Sequence, residues 1–195
     1  MKTTSNWSAK YIATMALMLT FGVATVYGQD SVHMKLSGTS VPSTVNLQQP
    51  NSSNSEYDLT GTGDLGRFDF RLIDAAPNFP SSSSTCSGPS KLYFQLSYGG
   101  GVFRFQDGSQ LYVQMTQGSD CIDFVAGNAL CIRVLQITGG TGRFVNASGT
   151  LTLTETVTPV LADALNNPVF FAATGRVTGA VSGVSGDGQD HDGKP

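Results

Sequence analysis

The side chains here that could do chemistry are few: three cysteines, two histidines, and a small set of charged residues in otherwise apolar stretches. Cys86, Cys121 and Cys131 allow one disulfide and leave one thiol over. Strand register bears on the choice. With Gly127-Asn128 as a two-residue turn, Cys121 opposes Val134 and Cys131 opposes Phe124, so the two thiols point to opposite faces and cannot bond. A three-residue loop at Val125 to Gly127 would instead set Cys121 opposite Cys131. The favoured pair is Cys86 with Cys121, closing a loop of about 34 residues for ~3–4 kcal/mol. Cys131 is then a buried thiol, and it stays open as the alternative partner.

His33 and His191 lie near the two ends of the chain. A zinc site or a Ser-His-Asp triad needs histidine on the folded core, so no metal or cofactor is expected and no catalytic set can be named. Asp187, Asp190 and Asp192 lack the spacing and terminal Glu of a calcium loop and read as a solvated tail. Five charged residues remain as candidate ligand-binding positions: Asp69, Arg71, Arg104, Asp123 and Arg133. Each sits on a strand-like run, where a charge is either paired inside a cavity or turned to solvent. Arg104 shares a face with Val102, and a two-residue Asp107-Gly108 turn would set it opposite Leu111. The outward reading is the simpler, because an outer face needs polarity and only 13% of the chain is charged.

Those residues need strands to position them, and strands are what the chain supplies. Phe68, Phe70 and Leu72 alternate with Arg67, Asp69 and Arg71; Leu92, Phe94 and Leu96 alternate with Tyr93 and Gln95. Phe103 and Phe105 flank Arg104, and Leu111, Val113 and Met115 continue beyond the turn. In the run from Thr150 to Val157, Leu151, Leu153 and Glu155 share one face and four threonines the other. Short alternating runs separated by turn residues imply an all-β fold, an antiparallel barrel of about eight strands, with a sandwich as the alternative. Glycine at 23 positions and the scarcity of Lys and Glu argue against helices. The net charge of −3 and pI near 5.1 argue against nucleic acid.

Residues 1–28 read as a signal peptide. Lys2 and Lys10 precede an apolar run from Ile12 to Val26, and Val26 and Gly28 give a small-residue cleavage site. That run of about 15 residues falls short of the ~20 needed to cross a bilayer. No stable membrane insertion is therefore expected after cleavage, and the protein is expected to be secreted or periplasmic. Residues 29–56 read as a flexible lead-in with one short strand-like piece, Val32 to Leu36. The barrel domain spans 57–181, and residues 182–195 form a disordered tail. Within the domain, Asp74 to Ser90 reads as a long surface loop, and Pro159 to Pro168 as a connection that can hold one helical turn.

Gly61-Thr-Gly63-Asp-Leu-Gly66 matches a dinucleotide fingerprint by letter, but an alternating strand follows where a helix is required. Thr138 to Phe144 likewise lacks the Lys-Ser/Thr ending of a phosphate loop. The glycines are better read as turn residues. At Ile137 to Leu153 (ITGGTGRFVNASGTLTL), a strand, a Gly-Thr-Gly-Arg-Phe turn, an Asn-Ala-Ser-Gly step and a Thr-rich strand resemble the allene oxide cyclase and dirigent-like β-barrel family. The segment looks most like bacterial secreted members of unassigned function, and the similarity extends over Tyr93 to Val157. The resemblance implies an eight-stranded barrel with a central cavity. Plant members guide or catalyse cyclisation and coupling of small apolar molecules.

Three functions are then open. The leading one is a small exported barrel that binds a small apolar ligand. The second is a cyclase- or dirigent-type enzyme with acids inside the barrel, marked by a polar, open cavity that holds an Asp of raised pKa near an Arg; a cavity filled by Phe and Leu side chains would count against both this and small-molecule binding inside the barrel. The third is a surface or adhesion protein, which calls for an exposed aromatic patch such as Phe103, Phe105 and Tyr112.

Overall fold

The computed structural model describes residues 30–47 and 49–185. The expected signal peptide lies outside them, as does the tail beyond Ser185. Nine strands follow in order: β1 (Asp30–Ser43), β2 (Ser52–Gly63), β3 (Gly66–Pro77), β4 (Lys91–Leu96), β5 (Tyr98–Phe105), β6 (Gln110–Asp123), β7 (Asn128–Thr141), β8 (Ser148–Ala162) and β9 (Pro168–Ser182). All pairings are antiparallel. The order β5-β3-β2-β1-β9-β8-β7 is closed by β6, which pairs with both β5 and β7. The result is an eight-stranded closed barrel, and the sandwich alternative falls. β4 is the extra strand, and it carries on β5's register along β6: Arg104 pairs with Gln110, and Leu96 with Gly118.

The alternation read from the sequence fills the middle of the barrel with Phe and Leu side chains, where the resemblance implied a central cavity. Phe68, Phe70, Leu72, Phe103, Phe105, Leu111, Val113, Leu135, Leu151 and Leu153 all point inward and are buried. The Phe70 and Phe103 rings stack with centroids 3.8 Å apart. That stacking needs room on β5. A Cβ at Gly101 would lie 2.7 Å from Phe70 Cε2, so only glycine fits there. One end is plugged by Phe105 and Phe144, with the Arg143 guanidinium 5.0 and 4.7 Å from their ring centres. Arg143 also donates to the Leu65 carbonyl and pairs with Asp107, tying three loops together. The other end carries the β1–β2, β3–β4, β6–β7 and β8–β9 connections.

Several expectations need correction. The lead-in is not flexible: β1 spans Asp30–Ser43 and closes the barrel between β2 and β9. Its small polar residues hid it, because the inward positions at its far end are Gly38 and Ser40. The barrel therefore begins at Asp30, and Ser182 belongs to β9. The β5–β6 turn has three residues, with Gly108 at φ 82°, which sets Arg104 opposite Gln110 and not Leu111. The Pro159 to Pro168 connection holds no helical turn, since β8 runs on to Ala162. Finally, Phe103 and Phe105 are buried, so they form no adhesive patch with Tyr112.

The disulfide joins Cys86 to Cys121, and Cys131 is a buried thiol. Neither expected β6–β7 turn is present. The loop has four residues, with Asp123 paired to Asn128, and the Asp123 carboxylate accepts N–H bonds from Val125 and Ala126. A bulge between Met115 and Gln117 then decides which way each β6 side chain faces. Before it the odd residues Leu111, Val113 and Met115 point inward; after it Gly118 and Asp120 do. Cys121 is thereby turned outward, toward the β3–β4 loop that carries Cys86.

Candidate functional site

The strand pairing builds one polar layer inside the barrel. Asp120 on β6 faces Cys131 on β7, which faces Glu155 on β8, so these three form a row across adjacent strands. One step further in, Arg133 extends from β7 across the interior. Its Nε donates to Asp74 Oδ2 on β3 at 2.5 Å, and Nη1 to Glu155 Oε1 at 2.8 Å. Nη2 donates to Tyr57 Oη on β2 at 2.6 Å and lies 3.5 Å from Asp120 Oδ1. The Arg133 and Glu155 side chains are 0% exposed, Asp74 is 2% and Asp120 is 18%.

Three carboxylates share a single guanidinium, and that ratio explains the electrostatics. Burial opposes the charge on Arg133, but Tyr57, Asp74, Asp120 and Glu155 outweigh it and hold the pKa well above the ordinary arginine value. The acids are less well served. Burial lifts Asp74 from 3.8 to about 6, with Arg133 pulling the other way and Asp120 adding to the rise. Burial likewise lifts Glu155 from 4.5 to about 7, against Arg133, with help from Asp74 and Asp120. Burial also pushes the Tyr57 hydroxyl and the Cys131 thiol up, so both are neutral. The layer thus stores a proton near neutral pH. Only Asp120 has appreciable contact with solvent.

Above this layer lies an apolar pocket of about 370 Å³, at the barrel end opposite the Arg143 plug. Ile122, Ala129 and Val157 form its inner wall, in a row directly outward from Asp120, Cys131 and Glu155. Pro159, Pro168 and Phe171 complete one side, and Phe124 and Asp123 the rim. Its lining is dominated by apolar groups, the arrangement expected of a seat for a small molecule.

The five sequence candidates separate sharply. Arg133 is the interior one. Asp69 and Arg104 are exposed partners across β3 and β5. Arg71 pairs with Asp58 on the outer face at 3.2 Å. Asp123 sits on the pocket rim, 3.5 Å from Lys91, and backbone bonds from Ala126 and Val125 together with Lys91 hold its carboxyl below the usual range. Sequence reasoning missed Asp74, Asp120 and Tyr57 altogether. Glu155 was placed on the Leu151 and Leu153 face but not singled out, although a carboxylate on an apolar face was itself the signal.

Comparisons with known proteins add little. No family model matches the chain, and no curated protein matches it. Among solved structures, the pterocarpan synthase dirigent protein GePTS1 aligns over 88% of this chain and 99% of its own, with 15% identity and a TM-score of 0.34. The barrel assignment rests on the strand pairing described above.

Proposed function

We propose that this is an exported barrel protein that binds a small, mainly apolar molecule at its open end. The observation that carries the reading is the apolar pocket walled by Ile122, Ala129, Val157 and Phe171. Export is supported by the N-terminal signal pattern and by a disulfide, which persists in oxidising compartments. The test is untargeted mass spectrometry of small molecules released from the folded, purified protein, set beside Ala129→Trp, which fills the pocket. A released apolar compound that is lost in the variant supports binding. Equal loads in both proteins, or none in either, would refute it.

A second reading is an enzyme of the cyclase or dirigent type acting on a small apolar substrate. Asp74, lifted to about 6 beside Arg133, is the feature that favours it. Against it, Asp74 and Glu155 are sealed beneath the pocket, so Asp120 is the carboxylate placed to meet a substrate. Turnover lost in Asp120→Asn but unchanged ligand retention would favour the enzyme.

A further inference from the structure

The row beneath the pocket carries more acid than the chain's own donors satisfy. Arg133 spends Nε, Nη1 and Nη2 on Asp74, Glu155 and Tyr57. Glu155 Oε2 is sealed from solvent and accepts no hydrogen bond. Asp120 Oδ1 is sealed too, accepts none, and meets Arg133 only as a 3.5 Å ion pair. A buried carboxylate oxygen without a donor is costly to leave so. Beside Glu155, β9 contributes Gly175, where a Cβ would collide with the Thr154 carbonyl oxygen and Glu155 Cβ, so β9 packs tightly against β8 at this layer.

Distance connects this row to the pocket. Ile122 and Val157 lie two residues along their strands from Asp120 and Glu155, about 7 Å at strand rise. A ligand seated among Ile122, Ala129 and Val157 can thus extend one polar head toward Asp120, the acid of the row with solvent contact. Around that head stand Tyr57, Asp74, Asp120, Cys131, Arg133 and Glu155, contributing three carboxylates and one cation.

We propose that the ligand is a small primary amine with an apolar tail, whose ammonium donates to Asp120, with the charge of Glu155 behind it. This rests on the pocket reading above and adds the head group's chemistry to it. An ammonium brings three donors and one positive charge, and it would take the place of the proton held by the acid layer. Binding should therefore release protons near pH 6 and tighten as the pH rises to 8.

The experiment is calorimetric titration of the purified protein with hexylamine, hexanol and hexanoate, which share one tail and differ in head. Hexylamine should bind about tenfold or more tightly than hexanol, as expected of a charge-assisted bond, and hexanoate least. In Asp120→Asn, at the acid with some solvent contact, that preference should fall while hexanol affinity holds. Glu155→Gln gives a second reading of the same effect should the first variant fold poorly. Equal affinity for hexylamine and hexanol would overturn the amine assignment and leave the pocket standing. Binding of none of the three would overturn both.

Discussion

Replacing Glu155 by Gln should make the protein more stable at pH 8, which is unusual for a buried residue engaged by an arginine. The cause lies in the two carboxylate oxygens. Glu155 Oε1 accepts from Arg133 Nη1 at 2.8 Å, but Oε2 accepts nothing. Its pKa stands near 7 in the folded protein against 4.5 in the unfolded chain. A carboxyl that binds its proton more tightly when folded stabilises most below pH 4.5, and that stability is lost as the pH rises through 7. A gap of about 2.5 units corresponds to ~3 kcal/mol at most. Asp74, with about 6 against 3.8, adds a loss of similar size that ends about one unit lower. The wild-type protein should therefore lose several kcal/mol between pH 4 and 8. Gln keeps an acceptor for Arg133 and carries no charge, so the Glu155 part of the slope should vanish. Urea unfolding at half-unit steps from pH 4.5 to 8.5 measures both curves, with unchanged m-values confirming a common unfolded state. A wild-type curve that is flat or rises with pH would refute the reasoning, as would a variant curve parallel to it.

Three other outcomes follow from the packing. Removing the disulfide with Cys86→Ala and Cys121→Ala should cost about 3–4 kcal/mol in urea unfolding while the far-ultraviolet spectrum stays that of a sheet. Phe103→Ala removes a fully buried ring stacked on Phe70 and should cost ~3–5 kcal/mol by the same assay. Gly101→Ala should destabilise by about 1–3 kcal/mol in the same assay, because its methyl would lie 2.5 Å from the Arg71 carbonyl oxygen and 2.7 Å from the Phe70 ring.

The barrel was legible wherever apolar residues alternated, as at Phe68 to Leu72 and Leu151 to Leu153. At β1 only Val32 to Leu36 read as strand-like, because its inward positions run from Val32 to Ser40 and lose their apolar character halfway. Closure depends on β1 meeting β9, with Asp30 opposite Val181, a pairing of residues far apart that no local pattern records. Register failed at the β6–β7 loop because the Asp123 side chain supports a four-residue turn, a detail invisible to turn preferences. The site was harder still. Asp74 continues the parity of Phe68, Phe70 and Leu72, yet the Ala-Ala-Pro that follows disguised it as loop. Asp120 faces inward only because of the bulge at Met115 and Gln117, and a count of alternating residues puts it on the wrong side. Glu155 was in plain view among leucines.

Ligand binding at the open end of the barrel is tested most directly by methyl chemical-shift mapping in NMR, with hexanol titrated into the folded protein. Binding there should concentrate the shifts at Ile122, Ala129 and Val157 and leave Val32 and Leu111, at the plugged end, unmoved. Shifts confined to the outer face around Val41 and Val102, or none anywhere, would contradict it.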